Sequence, residues 1–331
     1  MIQVSNVASG LTQGAIALLG ISGTAELWMV IVLSALNGLL SAMSFPALAS
    51  LMPQLVPREQ LQRANALMSL VRGGLTIIGP TVSALLVVTV GPGWALFADA
   101  LTWFASAVLL LGVKIPPPAP REKDAPGTFA ELRVGWTYFR TTTWLWVVVL
   151  AFGLLNAIQT GAMFTLGPAV AKATIGEQGW GLALSAESVG LLLMTVVMLR
   201  VPLQRPLLLG MLGIALLGVP MVMLGADPRL ALLMAAMFVA GAGTEVFSMG
   251  WNLAMQEHVE ESMLSRAYSY DALGSFVAMP IGQLAYGPLG AAFGYRDVLV
   301  VSGVAYVAIC ALTLLSRSVR TLPRRDAVEV S

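Results

Sequence analysis

Residues 207–224 read LLLGMLGIALLGVPMVML, a run of 18 residues without a charged side chain. At a rise of about 1.5 Å per residue, a helix of this length crosses most of a hydrocarbon layer that is roughly 30 Å thick. The run does not alternate between polar and apolar residues, as the strands of a membrane β-barrel do. Because an α-helix satisfies its own backbone hydrogen bonds in lipid, we predict that this stretch is a membrane-spanning helix.

Similar stretches recur along the chain of 331 residues, of which 57% are hydrophobic and 11% are charged. A soluble domain carries roughly 25% charged residues, so a water-soluble fold is excluded. We predict an all-α membrane protein with about ten transmembrane helices. The predicted spans cover residues 4–22, 27–51, 66–90, 94–113, 144–171, 182–199, 206–224, 229–253, 267–288 and 297–316.

The residues and motifs that several classes of function require are absent from this sequence. The single cysteine, Cys310, excludes an intramolecular disulfide, and the single histidine, His258, excludes a histidine-rich metal site. The sequence has no phosphate-binding loop of the G-x4-G-K-[ST] type and no nucleophile elbow, so ATP hydrolysis and hydrolase chemistry lack their motifs. The net charge of +1 gives no sign of nucleic-acid binding. We therefore expect no enzyme activity, no cofactor, no metal and no nucleic-acid partner.

Basic residues lie mostly on one side of the predicted spans. Fourteen lie in the connections after the second, fourth, sixth and eighth spans and in the tail, whereas the other side has only Lys172, Arg229 and Arg296. The positive-inside rule places the richer side in the cytoplasm, so we expect both termini there, in a plasma (inner) membrane. The fourteen are Arg58, Arg63, Lys114, Arg121, Lys123, Arg133, Arg140, Arg200, Arg205, Arg266, Arg317, Arg320, Arg324 and Arg325.

The longest connection, 114–143, divides the chain. Its prolines favour a stiff extended spacer, and apolar residues at helical spacing then predict a short amphipathic helix on the membrane surface, with a solvated linker as the alternative. These apolar residues are Phe129, Leu132, Trp136 and Phe139. We expect a four-span N-terminal bundle at 1–113, the linker, a C-terminal six-helix bundle at 144–316 and a cytoplasmic tail at 317–331.

An internal repeat relates the two bundles. Between residues 52 and 79, eight residues are identical to those 203 positions further on, among them Arg63-Ala64 and Arg266-Ala267. A chance match in so apolar a sequence would give about two or three identities. The offset places span on span in the same orientation, which predicts two parallel repeats. Two spans of the second bundle then have no partner, so we expect two spans to be missing before Met1. A genuine ten-span protein is the alternative.

Two stretches carry a family resemblance. Residues 37–67, NGLLSAMSFPALASLMPQLVPREQLQRANAL, resemble the fourth span and following loop of major facilitator exporters, and residues 251–276 resemble the matching tenth-span region. The nearest branch holds enterobactin-type siderophore exporters and macrolide efflux proteins. Gly74-x4-Gly79-Pro80 resembles the antiporter motif of the fifth span, although Ser83-Ala84 stand where the motif has two glycines.

The resemblance implies a fold of twelve helices and a chain that is truncated at its N-terminus. The family's Gly…Asp-Arg…Arg loop between spans two and three would lie before Met1. Its second-half counterpart, 200–206, keeps Arg200 and Arg205 but has no acidic residue. The resemblance also implies alternating access by rocking of two helical halves about a site near the membrane midplane.

Charged residues at membrane depth are functional candidates because they are costly there. Glu245 lies in the middle of the eighth predicted span, which by family order lines the central cavity. We predict that it carries a proton or binds a cationic substrate; the alternative is simple pairing with a polar neighbour. Arg72 and Asp271 are expected either to form gating charge pairs or to reach toward the cytoplasmic interface. Glu187 is expected near the outer start of its span.

Uncharged polar and aromatic residues complete the predicted site. Phe152, Asn156 and Gln159 lie on the fifth predicted span, which by family order also lines the cavity, and Asn37, Trp251 and Asn252 belong to the same class. Such residues suit an amphipathic substrate, but hydrogen bonds between packed helices are the alternative. Gly74, Gly79 and Pro80 are predicted to be hinges.

We therefore predict a secondary active transporter that exports small amphipathic compounds of the drug or siderophore class by proton antiport. Its expected partners are the lipid bilayer, the small-molecule substrate and protons, and we expect a monomer. The alternative is an inactive truncated transporter or a non-transporting membrane scaffold.

Overall fold

The computed structural model describes residues 2–112 and 128–325, and it describes the backbone alone at residues 41–49, 77, 80, 81, 84, 128–132 and 276. All regular structure in these two ranges is helical. The helices are α1 Ile2–Ser22, α2 Leu27–Ala49, α3 Met52–Leu55, α4 Leu61–Val90, α5 Pro92–Leu111, α6 Thr128–Thr141, α7 Thr143–Gln159, α8 Gly167–Thr174, α9 Gly176–Met198, α10 Pro206–Ala215, α11 Gly218–Ala226, α12 Leu230–His258, α13 Glu261–Phe293, α14 Tyr295–Leu315 and α15 Arg317–Arg320. A 3-10 turn, Arg58–Gln60, precedes α4, and a π-helical segment, Thr160–Leu166, joins α7 to α8.

Eight helical segments within the described residues are long and apolar enough to cross a membrane. Six are α1, α5, α9, α12, α13 and α14. The other two are composite, because Thr143–Thr174 comprises α7, the π-helical segment and α8, and Pro206–Ala226 comprises α10 and α11. The prediction of an all-α membrane protein is confirmed. α2 and α4 fall outside these eight segments, so the number of ten spans stays a prediction.

The helix boundaries show the internal repeat of 203 residues. α2 begins at Leu27 and α12 at Leu230, while α5 begins at Pro92 and α14 at Tyr295. The packing repeats as well. α1 contacts α2 and α5 in the first copy, and the composite helix α10–α11 contacts α12 and α14 in the second. The predicted repeat is therefore present in the fold.

A turn between two helices repeats with the same backbone geometry. Gly91 separates α4 from α5 with φ of 89°, and Gly294 separates α13 from α14 with φ of 91°. L-residues with a side chain rarely adopt this conformation, whereas glycine does so without steric cost. The two glycines therefore fix the same sharp turn at equivalent positions of the repeat.

The described chain forms two compact units. Residues 2–55 and 74–112 belong to the first, and residues 56–73 and 128–325 belong to the second. α4 is shared, because its turns up to Gly73 pack within the second unit and its remainder belongs to the first. α6 lies where the sequence predicts an amphipathic helix, and the proline run before it lies outside the described residues.

Glycines bring α12 close to its neighbours in the second unit. A Cβ atom on Gly241 would lie 2.0 Å from the carbonyl oxygen of Glu187 in α9, and one on Gly243 would lie 2.1 Å from that of Gly213 in α10. Helices in lipid gain much of their stability from close van der Waals packing at small residues. These glycines therefore hold α12 between α9 and α10, where it carries the central acidic residue described next.

Candidate functional site

Glu245 lies about halfway along the 29 residues of α12 and is 3% exposed. Hydroxyl groups approach its carboxyl from two other helices, Ser69 of α4 and Thr195 of α9. Its Oε1 atom is buried and has no hydrogen-bond partner among the described residues. Since an ionised carboxylate at the bilayer centre costs about 2.5–3.5 kcal/mol, this carboxyl has a strong tendency to hold a proton or to bind a cation.

A second carboxyl group lies on the adjacent helix. The sequence predicts Glu187 near the start of a span, but α9 begins earlier, at Gly176, so Glu187 lies near the middle of the helix. The glycine-rich stretch 176–181 has the composition of a loop, yet it forms the first turns of α9. The backbone of Glu187 packs against Gly241, one turn from Glu245 on α12.

Asp271 of α13 is also buried, with 8% exposure. Trp251 donates a hydrogen bond from Nε1 to Asp271 Oδ2 at 3.1 Å, and Asp271 Oδ1 has no partner among the described residues. The indole of Trp251 packs edge-on against Trp144, with ring centroids 6.0 Å apart. The Asp271 carboxyl is thus held by the N–H group of an indole that itself packs on a second indole.

Amide and hydroxyl groups link α12 to α4 and α13. Asn65 of α4 and Gln256 of α12 donate to each other, with Asn65 Nδ2 2.7 Å from Gln256 Oε1 and Gln256 Nε2 3.3 Å from Asn65 Oδ1. Tyr268 of α13 donates to Asn252 Oδ1 at 3.3 Å, and Asn252 Nδ2 donates to the Ser248 carbonyl at 2.9 Å. Asn252 therefore takes part in contacts between helices.

The aromatic and amide residues of α7 face the same region of the second unit. Phe152 stacks on Phe247 of α12 with ring centroids 4.8 Å apart. Asn156 is 4% exposed, and its Nδ2 donor is without a partner among the described residues. Gln159, one turn further, is half-buried. An unsatisfied buried amide next to a stacked aromatic pair is the kind of surface that binds an amphipathic molecule.

The π-helical segment follows directly after these residues. Gly161 lies so close to the ring of Tyr286 that a Cβ atom there would approach it to 2.2 Å, and Thr160 donates from Oγ1 to the Met279 carbonyl at 3.1 Å. π-helical turns within helices occur frequently at functional sites. The sequence predicts one continuous span over 144–171 and does not indicate this π-helical segment.

The remaining predicted site residues lie elsewhere. Asn37 belongs to the first unit and donates to the Ser9 carbonyl at 3.3 Å and to Gln13 Oε1 at 3.2 Å, so it joins α2 to α1. Arg72 is exposed on α4 within the second unit. The predicted hinge residues Gly74, Gly79 and Pro80 continue α4 without interruption of the helix.

The start of α4 is joined to the end of α9. Gln62 donates from Nε2 to the carbonyls of Met198 at 2.7 Å and Val201 at 2.6 Å. Its Oε1 atom accepts from the backbone N–H of Leu203 at 3.2 Å and from Arg324 Nη1 at 2.9 Å. One buried glutamine therefore connects α4, the 199–205 turn and the C-terminal segment.

Glu257 extends this connection at the end of α12. Its side chain is fully buried, and Arg324 Nε lies 3.7 Å from Glu257 Oε1. The backbone N–H of Arg325 donates to Glu257 Oε2 at 3.1 Å, and Arg325 Nη1 donates to the Glu257 carbonyl at 2.7 Å. We name Gln62, Asn65, Gln256, Glu257 and Arg324 the end cluster.

Sequence reasoning did not single out the end cluster. Gln62 and Asn65 lie within the first stretch that carries the family resemblance, and Gln256 and Glu257 lie within the second, whereas Arg324 lies in the predicted tail. The resemblance of these stretches was the available signal. Polar residues at span ends are normally solvated, and only the packing of α4 on α12 shows that these are buried.

Comparison with known proteins decides the family. The model of the Major Facilitator Superfamily matches residues 1–282. The chain belongs to the Major Facilitator Superfamily. It is a transporter rather than an enzyme, and as a multi-pass membrane protein of this family it is a secondary transporter.

Several relatives are similar over most of the chain. An uncharacterised MFS-type transporter of Bacillus subtilis, YvqJ, is 23% identical over 95% of this chain and 78% of its own length. The enterobactin exporter EntS of Shigella boydii is 27% identical over 84% of this chain and 67% of its own length. The macrolide efflux protein A of Streptococcus pyogenes is 23% identical over 89% of this chain and 74% of its own length.

Solved structures share the fold. A bacterial homologue of the iron transporter ferroportin in its outward-facing state has a TM-score of 0.70 at 17% identity, covering 95% of this chain and 83% of its own. The proton:xylose symporter XylE has a TM-score of 0.65 at 15% identity, covering 96% and 79%. Sequence identities this low show a shared fold. They carry no statement about a shared substrate or mechanism.

Proposed function

We propose that this transporter exports small amphipathic compounds across the plasma membrane in exchange for protons. The observation that carries the proposal is the Glu245 carboxyl, buried at mid-span with one oxygen unbonded and with hydroxyls of α4 and α9 beside it. The proposal includes both termini in the cytoplasm, a monomer, and the division into bundles at 1–113 and 144–316 joined by a linker at 114–143.

Glu245 suits proton coupling because its environment changes when the helices around it move. A carboxyl closed off from water favours the protonated form, and one that is opened to water favours the ionised form. Ser69, Thr195 and Glu245 lie on three helices, so movement of α4 against α9 and α12 alters its hydration. Proton binding would therefore be coupled to the conformational change that alternating access requires.

Residues on α7 and α12 support the proposed substrate class. The Phe152–Phe247 stack offers apolar surface, and the Asn156 amide offers an unbonded donor in the same region. A molecule with an apolar body and a few polar groups satisfies both. That two of its relatives are named as an enterobactin exporter and a macrolide efflux protein supports this class.

During transport, the site around Glu245 must open toward the side of the membrane at which α4 begins. This opening requires the hydrogen bonds of the end cluster to break. Its hydrogen bonds hold the start of α4 against α9, α12 and the C-terminal segment. We assign Asp271, Arg72 and the hinge residues Gly74, Gly79 and Pro80 to this movement. The Trp251 bond to Asp271 then acts as a second contact that forms and breaks during transport.

The test uses inside-out vesicles with an imposed pH gradient, and a macrolide and enterobactin as separate probes. Glu245→Gln keeps the shape of the side chain but cannot ionise, so we expect gradient-driven transport to fall to the level of empty vesicles while probe binding persists. Glu177→Gln is the matched control, because Glu177 is exposed and pairs with Lys172 at 2.8 Å.

Unchanged gradient dependence in the Glu245→Gln vesicles would rule out this role. Absence of transport by the unaltered chain with either probe, together with absence of probe binding, would favour the alternative of a non-transporting membrane scaffold.

A further inference from the structure

A groove of about 770 Å³ runs along the contact between α7 and α13 in the second unit, with α6 at one end. At its base, the helices approach closely at two glycines, since a Cβ atom on Gly153 would lie 3.5 Å from the Gly274 carbonyl oxygen. The walls are large apolar side chains, each at least half exposed: Leu150, Leu154, Leu273, Val277 and Ile281. The groove is therefore a cleft in the apolar surface.

One end of the groove is aromatic and basic. Trp136 and Phe139 of α6 stack at 5.7 Å, and both rings pack against Tyr270 of α13 at 5.8 and 5.3 Å. Arg140 lies beside them and lines the groove. Aromatic side chains together with a cation are typical of the level where lipid headgroups meet hydrocarbon.

The length of the groove matches one leaflet of a bilayer. Its lining residues run from Trp146 to Ala157 on α7 and from Tyr270 to Ile281 on α13. At about 1.5 Å per residue, each row is roughly 16 Å long. Half of a hydrocarbon layer about 30 Å thick is about 15 Å. The groove thus extends from the interface to the middle of the membrane.

We propose that this groove is a binding site for an anionic phospholipid from the leaflet that contacts α6. The Arg140 guanidinium binds the phosphate, and an acyl chain lies on Gly153 and Gly274 between the apolar walls. The order of polarity along the groove, one cation followed by hydrocarbon, matches that of the lipid. Beyond its aromatic and basic end the described lining is aliphatic, so a soluble peptide or a polar substrate would find no side-chain hydrogen-bonding partner there.

The first test measures which lipids remain bound to the full chain after purification from membranes and reconstitution with equal phosphatidylglycerol and phosphatidylcholine. Native mass spectrometry is expected to show one tightly retained phosphatidylglycerol. Because one basic residue near anionic lipid contributes about 1 kcal/mol, Arg140→Gln should weaken this binding about fivefold, while Arg140→Lys should retain most of it.

Arg133→Gln is the matched control, because Arg133 lies on the same helix and is exposed but does not line the groove. Equal loss of phosphatidylglycerol in the Arg133 and Arg140 variants, or equal retention of the two lipids by the unaltered chain, would mean that only ordinary annular lipid is present. Either result would overturn the proposal.

A second pair of variants tests the position of the acyl chain. Val277→Trp fills the groove from an exposed position, and Val301→Trp adds the same bulk at an exposed position of α14 outside it. We expect the first variant to lose the retained phosphatidylglycerol and the second to keep it. Retention in both variants would contradict an acyl chain in the groove. The readout is lipid binding, so it does not depend on transport activity.

Discussion

The two copies of the internal repeat share their scaffold and differ in their chemistry. The offset of 203 residues relates the first residues of three pairs of helices to within one residue. The pairs are α1 with α10–α11, α2 with α12, and α5 with α14. The position equivalent to Glu245 is Ala42, and the position equivalent to Asp271 is Met68. Turn glycines and helix starts are thus repeated, whereas the buried carboxyl groups occur in the second copy.

The surroundings of Glu245 explain why this difference bears on the proposed proton site. α9 carries Glu187 and Thr195, and it is the helix that packs most extensively on α12. It brings the Thr195 hydroxyl to the Glu245 carboxyl. In the second unit, α9 therefore completes the surroundings of the carboxyl group to which we assign proton coupling.

The largest expected effect comes from two glycines at equivalent positions. A Cβ atom on Gly241 would lie 2.0 Å from the Glu187 carbonyl oxygen, whereas one on Gly38 would meet no described atom within 4 Å. Gly241→Leu should destabilise the protein by about 3 kcal/mol or more, because α9 and α12 must separate. Gly38→Leu should change stability by less than about 1 kcal/mol.

Thermal unfolding in detergent, followed by tryptophan fluorescence, measures both variants. Equal losses of stability in the two variants would show that Gly38 and Gly241 have equivalent surroundings. That result would contradict the difference in packing between the two copies.

An intermediate effect is expected at the end cluster. Arg324→Gln removes the hydrogen bond to Gln62 and the positive charge beside the buried Glu257. Hydrogen bonds to charged groups contribute about 1.5–3 kcal/mol, so we expect a loss of about 2 kcal/mol in the same unfolding experiment. Arg320→Gln, at an exposed position of α15, should cost less than about 0.5 kcal/mol. If Arg320→Gln lowered the free energy of unfolding as much as Arg324→Gln, the end cluster would contribute no more to stability than an exposed arginine does.

The smallest effect concerns the pair of amides between α4 and α12. Asn65→Ala, Gln256→Ala and the double variant form a cycle that isolates their interaction, which should amount to about 1 kcal/mol because hydrogen bonds between membrane helices are modest. Equilibrium unfolding in mixed micelles provides the free energies. Strict additivity of the two single changes would show that the two side chains do not interact.

Much of the fold could be predicted from the sequence because lipid leaves few choices to the backbone. The apolar runs predict ten spans, and eight helical segments of the described residues have the length and composition to cross a membrane. The identities around Arg63 and Arg266 indicate the repeat that the helix boundaries show. The start of α9 was misplaced, because Gln178 and Gly179 resemble a loop in sequence although they form helix.

The candidate site was predictable in part. Glu245 could be found because a carboxyl group inside an apolar run is rare and costly. Its neighbours Ser69 and Thr195 could not, since serine and threonine are common in membrane helices and only the packing of three helices brings them together. The π-helical segment was equally hidden, because its residues differ little in polarity from those of an ordinary helix.

The most direct test of the central claim measures protons moved by the substrate itself. A macrolide or enterobactin is added to vesicles that contain the protein and a pH-sensitive dye, without an imposed gradient. We predict a substrate-dependent pH change for the unaltered chain and for Glu177→Gln, and none for Glu245→Gln. A pH change of the same size in Glu245→Gln as in the unaltered chain would contradict a proton site at Glu245.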